Sequence, residues 1–210
     1  MRTLRILLAV ALMLGVASAA SATQTYVAPW GWDGPSTGLN IILNNLYGAG
    51  NLSRVDDAND QLWHFTGMTA TAQAKYAGYT QDFGFVPGAS GGSFQHLFTV
   101  TANGYLSGSP AAAFSTGSPF RFADDPSGAP LWTSLPSDNG GGDHMVTWLV
   151  TGGPSKGAYV LCWEDLPLCR SDRDYNDLVV EVRPVPEPCT LLLMGGGLLG
   201  LGGLRRKFRK

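Results

Sequence analysis

The chain has 210 residues with 14 Lys and Arg against 16 Asp and Glu, a formal net charge of −2. Half of the basic residues sit at the two ends (Arg2, Arg5, Arg205, Arg206, Lys207, Arg209 and Lys210), so residues 23–184 carry seven basic against 15 acidic side chains, a net −8. A segment this acidic, with no clustered Lys or Arg, excludes phosphate-led binding of nucleic acid and suits the binding of cations. Thirteen of the 16 acids are Asp, a residue of loops and metal sites more than of helices. The 28 Gly and 13 Pro disfavour a helical bundle and favour strands joined by many turns.

In chain order, Met1–Arg5 is a short basic start, Ile6–Val16 is apolar, and Ala17–Ala22 is a run of small residues with A-x-A spacing. That order predicts a secretory signal peptide over residues 1–22, cut by signal peptidase after Ala22 or Ala19, and a mature protein working outside the cytoplasm. Residues 23–184 show no internal repeat and no linker, and read as one domain. Leu39, Ile42, Leu43, Leu46 and Tyr47 recur at helical spacing, with Ser36 or Thr37 to cap the helix and Gly48 to end it.

The rest reads as strands: Thr69–Tyr76, Ser93–Thr101, His144–Thr151, Tyr159–Trp163 and a last one over Asp177–Arg183. Phe94, His96, Phe98 and Val100 are expected on one buried face, with His96 a hydrogen-bonded core residue. Turns are expected at 86–92, 102–118, 124–130, 136–143 and 152–157, and a solvated acidic turn at Asp56, Asp57 and Asp60. The fold class is all-β: a single β-sandwich or jelly-roll-like domain with one short helix, its core filled by the six Trp.

The densest chemistry lies in Glu164–Asp177. Five carboxylates (Glu164, Asp165, Asp172, Asp174 and Asp177) and the amide of Asn176 fall within 14 residues, and only Arg170 and Arg173 offset them. Two carboxylates 4 Å apart repel by roughly 4 kcal/mol at an effective dielectric of 20, so gathering several needs a cation, protons or arginine partners. Oxygen-only donors suit Ca²⁺, which takes six to eight oxygens. Asp172-x-Asp174-x-Asn176 matches the first three ligand positions of an EF-hand loop, but Asp177 stands where Gly is needed, Arg183 where Glu is needed, and a strand follows. The reading is therefore a calcium cage of another kind, supplied by Asp172, Asp174 and Asn176 with Glu164 or Asp165 from the preceding strand end, and a solvated loop paired to Arg170 and Arg173 is the alternative.

This segment resembles the closing signature of a secreted bacterial domain of unknown function, E-D-L-P…D-x-D-Y-N-D before a last strand, here Glu164-Asp165-Leu166-Pro167 and Asp172–Asp177. Phe85, Asp124-Asp125, Trp132 and Gly142-Asp143-His144 stand in the order such domains show, so the resemblance covers about residues 80–183. It implies a β-rich module that binds calcium and has no established activity, with Glu164, Asp165, Asp172, Asp174, Asn176 and Asp177 as the metal set. Outside the cytoplasm Cys162 and Cys169 can form a disulfide, closing a loop worth roughly 2.5 kcal/mol; the alternative is two free thiols, one buried in a strand. Cys189 is left over.

After Val185 come Pro186-Glu187-Pro188, a Gly-rich apolar stretch over Thr190–Leu204 and the basic tail Arg205–Lys210. As a helix the stretch spans about 22 Å, short of the roughly 30 Å apolar slab, and the tail stays cytoplasmic by the positive-inside rule. This three-part order, over residues 185–210, resembles the PEP-CTERM sorting signal of Gram-negative bacteria. It implies transient anchoring in the inner membrane, recognition of Pro186, Glu187 and Pro188 by an exosortase-type transpeptidase, and release to the cell surface or an exopolysaccharide matrix.

Catalytic readings are weaker. Gly88-x-Ser90-x-Gly92 with Asp124 and His144 follows serine-hydrolase order, yet a strand rather than a helix is expected after Ser90. Glu164 and Asp172 would be a glycosidase pair, but clustered Asp in one loop fits a cation cage better. The expectation is a non-enzymatic, exported surface or matrix protein with structural calcium that associates with exopolysaccharide. A carbohydrate-binding module using exposed aromatics and a polysaccharide-active hydrolase are the alternatives.

Overall fold

The computed structural model describes residues 24–185. The expected signal peptide, Pro186, Glu187, Pro188, Cys189, the apolar stretch and the basic tail lie outside the described residues. No helix among the described residues is long and apolar enough to cross a membrane.

Eleven strands and one α-helix make up the described chain. The strands are β1 (Leu52–Arg54), β2 (Gly67–Lys75), β3 (Gln81–Pro87), β4 (Gln95–Val100), β5 (Gly104–Tyr105), β6 (Ala111–Ser115), β7 (Phe120–Pro126), β8 (Trp132–Thr133), β9 (Met145–Val150), β10 (Tyr159–Trp163) and β11 (Leu178–Pro184). A seven-stranded sheet runs β1-β9-β10-β11-β2-β5, with β6 also paired to β2, and a four-stranded sheet runs β4-β3-β7-β8. All pairings are antiparallel.

One apolar core joins the two sheets. Met68, Ala70 and Ala72 of β2 and Leu161, Trp163, Leu178, Val180 and Val182 of β10 and β11 meet Phe83, Phe85, Phe98, Phe120 and Phe122 of the smaller sheet. Phe83 is at its centre, stacked on Phe98 and Phe122 with centroids 5.2 and 5.7 Å away and edge-on to Trp163 at 6.4 Å. The other face of the large sheet is covered by α1 (Leu39–Tyr47), whose Leu39, Ile42, Leu43 and Tyr47 pack on Val146, Val160, Cys162 and Val179. Because side chains alternate across a strand, β10 and β11 are buried on both faces, which is why both read as nearly unbroken apolar runs.

Six expectations need correction. The 102–118 stretch is not a single turn, because β5 and β6 lie in it and pair with β2, and Trp30 and Trp32 are exposed instead of filling the core. The helix is where its spacing predicts, ending at Gly48 with φ 83°, but its N-cap is Gly38 and no side chain caps it. Ser36 and Thr37 instead belong to a 3₁₀ turn, where the Thr37 hydroxyl donates to Gly34 O at 2.8 Å. Asp124 and Asp125 are not a turn: β7 continues through Pro126, paired to β3 from Pro87↔Phe120 to Gln81↔Pro126. His96 is exposed, 3.0 Å from the Thr99 hydroxyl, because a bulge pairs Phe98 with Phe83 but His96 with Gly84 and so swaps the face. Asp57 and Asp60 are buried rather than solvated; Asp57 pairs with Arg54 at 2.8 Å.

Phe83→Ala removes the ring that both sheets share. It is expected to lower stability by about 3–5 kcal/mol, read as a fall in the denaturant midpoint with the slope unchanged.

Candidate metal centre

The acidic loop spans the end of the β10–β11 pair. Trp163 is paired with Leu178, so the next residues outward, Glu164 and Asp177, come side by side, with a carboxylate oxygen of each within 4.8 Å of the other. The Asp165 N–H donates to Asp177 Oδ2 at 2.8 Å and closes the neck of the loop. His144, stacked on Trp132 with centroids 3.7 Å apart, clasps Glu164 through its backbone: Nδ1 lies 2.9 Å from Glu164 O, and the Glu164 N–H donates to His144 O at 3.0 Å. Burial lowers the pKa of His144, against the opposing effect of its bond to the Glu164 backbone.

Further along, Arg173 (φ 58°) and Tyr175 (φ 55°) adopt left-handed backbone conformations that cost non-glycine residues free energy. The buried Tyr175 holds this shape, its hydroxyl donating to Asp143 O at 2.7 Å.

Two groups of carboxylates result, with Glu164 common to both. One oxygen from each of Glu164, Asp172 and Asp174 lies within 4.8 Å of the others, and the same is true of Glu164, Asp165 and Asp177. Asn176 joins the first group, donating to Asp174 Oδ2 at 2.6 Å and to Thr37 O at 2.9 Å. Glu164 is 1% exposed, and its Oε2 has no hydrogen-bond partner; the buried Oδ1 of Asn176 has none either. Orphaned buried oxygens among carboxylates are costly, and a cation would relieve them.

The arginines expected to offset these acids do not. Arg173 donates to Leu168 O, and among the described residues the ion pairs are Arg54–Asp57, His96–Asp82, Arg121–Asp138 and Arg183–Glu181. The second group does have a counter-charge. The buried Lys75 amine, donating to Ala77 O at 2.9 Å and Asn103 Oδ1 at 2.7 Å, lies in the field of Asp165, Asp177 and Asp124. The first group lacks an equivalent, which makes it the better seat for an ion.

The electrostatics carry the same message. Burial, reinforced by Asp172, Asp174 and Asp165, pushes Glu164 up to about 8. Burial and Asp172 push Asp174 up to about 7. Asp165 is raised by burial, against the opposing effects of Gln81, whose amide donates to it at 2.6 Å, and Lys75. Asp177 is pushed well above the carboxylate range by burial and then by Glu164.

All six expected metal residues are thus brought into these two adjoining groups. Three others were not foreseen. Asp124 is fully buried, with neither carboxylate oxygen hydrogen-bonded, and burial together with Asp165 raises its pKa strongly; reading it as a turn hid it. Gly31 and Trp32 come from the opposite end of the domain. The Trp32 N–H donates to Asp172 Oδ2 at 2.6 Å, and a Cβ on Gly31 would collide with the carboxylates of Asp172 and Asp174. Ala28 N–H to Arg173 O, 2.8 Å, ties the same segment to the loop. A Gly between two Trp was the signal available in the sequence.

The disulfide is not formed. Cys162 is buried in the layer under α1, its thiol pushed up by burial, whereas Cys169 is exposed on the loop. Hydrogen bonds close the loop in its place. The hydrolase arrangement is not made either: Ser90 is exposed, Asp124 has no hydrogen-bond partner, and His144 is engaged with Glu164.

Comparison with known proteins bears on the other end. Residues 184–207 match the family model of the PEP-CTERM protein-sorting motif. The chain therefore carries a PEP-CTERM signal, the mark of an exported exosortase substrate sorted at the membrane toward the cell surface. No curated protein and no solved structure matches the chain.

The raised carboxylates set a pH dependence. Glu164 and Asp174 keep protons in the native state up to about 8 and about 7, while their unfolded pKa values lie near 4. The native state then binds more protons, so stability falls as pH rises through that window. In chelator, the thermal midpoint should drop between pH 5 and pH 8, and Glu164→Gln should flatten the drop; a midpoint that rises across this range contradicts the burial seen here.

Proposed function

We propose that this is a non-enzymatic surface or matrix protein whose 164–177 loop is set by a structural calcium ion, held by Glu164, Asp172, Asp174 and Asn176 with Asp165 and Asp177 adjoining. The observation that carries this reading is the unpaired pair of buried oxygens, Glu164 Oε2 and Asn176 Oδ1, among carboxylates that no arginine neutralises. Donors that are all oxygens fit a hard cation, and calcium more than the smaller, strictly octahedral magnesium. When bound, the ion supplies the positive charge that lets these acids ionise together. The chain's own contribution is to aim them: β10 and β11 hold the neck, His144 and Trp132 fix Glu164, Tyr175 pins the loop, and Gly31-Trp32 closes it from above. This is a stabilising role, and it suits a domain exported through signal peptidase, held briefly in the inner membrane and delivered to an exopolysaccharide matrix.

Calorimetric titration of calcium, with thermal unfolding in calcium and in chelator, tests the reading. Binding and a raised midpoint are expected, both lost in the Asp172→Ala/Asp174→Ala double variant. At a hundredfold excess over the dissociation constant the ion would add about 2.7 kcal/mol. Absence of binding would leave a protonated acidic core and remove the calcium role. Sorting is separately testable: replacing Pro186, Glu187 and Pro188 by Ala should leave the uncut chain in the inner-membrane fraction, whereas normal surface delivery would show that another signal directs it.

A further inference from the structure

We propose that the cavity beside the carboxylate loop is a binding site for a neutral saccharide, with Trp32 as its stacking platform. This deepens the surface role above and rests on it, and on the calcium-set loop, for the shape of one wall. The cavity measures about 390 Å³, within the roughly 300–1,000 Å³ of small-ligand sites. Three aromatic residues line it, Trp32, Tyr76 and Tyr79, together with the carboxylates of Asp33, Glu164 and Asp172. Tyr76 is braced edge-on against Tyr105, with centroids 6.3 Å apart, so this wall is firm.

Trp32 is the unexplained residue. The residue is 72% exposed while its backbone is fixed to Asp172, which anchors it at the rim instead of leaving it on a loose tail. Indole offers a flat apolar face, and ionised carboxylates only accept hydrogen bonds. A fitting ligand therefore brings an apolar face and several donors on one rigid frame. A pyranose ring has both, in its C–H face and its hydroxyls.

Charge then selects among saccharides. Five acids, Asp33, Glu164, Asp165, Asp172 and Asp177, line the cavity, and Lys75 lies in the field of two of them, Asp165 and Asp177. Even with one divalent ion in place the acids outnumber the positive charges, so a uronate would be repelled. A cationic peptide would meet attraction, but only by competing with the ion for the same carboxylates. A neutral polyol does neither.

The test uses the full-length chain in a sugar-free zwitterionic detergent, with calcium present. The probes are β-1,4-linked hexasaccharides of glucose, mannose and N-acetylglucosamine, hexagalacturonate, and trilysine, each titrated by calorimetry. The calcium-dependent thermal midpoint is read on the same samples. At least one neutral hexasaccharide is expected to bind, and to bind about tenfold more weakly to Trp32→Ala, whose midpoint still rises with calcium. Three results overturn the proposal: no neutral probe binds a protein whose midpoint does respond to calcium; hexagalacturonate or trilysine binds more tightly than all three; or Trp32→Ala binds unchanged. A neutral probe that binds through Trp32 in a protein indifferent to calcium would keep the saccharide site and remove the calcium reading alone.

Discussion

The pairing of Trp163 with Leu178 at the end of two strands buried on both faces is the constraint on which the acidic centre depends. Their flanking residues, Glu164 and Asp177, have no freedom to separate, because the strands below are clamped by the aromatic core on one side and by α1 on the other. Carboxylates on a free loop would move apart into water. Here the cost of holding them together is met by apolar burial in the strands, and the repulsion is stored where a cation can relieve it.

The two groups sharing Glu164 are not equivalent. Lys75 and the Gln81 amide already moderate Asp165, while the Asp172–Asp174 side has only backbone N–H groups and Asn176 to answer its charge. Core and centre are also joined physically: the Trp132 indole N–H donates to Asp165 O at 2.8 Å, and the same ring stacks on the His144 that grips Glu164. Asp124, Gln81 and Lys75 continue the polar region inward from there, so the acidic end is an extension of the domain interior.

The strands were legible where burial imposes a simple period. β10 and α1 stand close to where apolar spacing predicts, and the six candidate metal ligands were visible because one segment concentrates them. Local signals failed where tertiary structure overrides them. Asp124-Asp125 looks like a turn in isolation, but a seven-residue pairing with β3 carries it through as strand. His96 has core spacing, and one bulge reverses its face. Cys162 and Cys169 are close in sequence, but only one of them points into a packed layer. Gly31 and Trp32 were out of reach for a different reason: about 140 residues separate them from their partners, and no periodicity links such distant positions.

That separation has a consequence in time. Residues 28–37 stand near the start of the described chain, and Arg173–Asn176, to which they bind, stand near its end. A chain that crosses from its N-terminus cannot close the centre until nearly the whole domain is outside, only about ten residues before the sorting signal begins. The acidic centre thus ties the two ends of the described chain together, a few residues before the sorting motif begins.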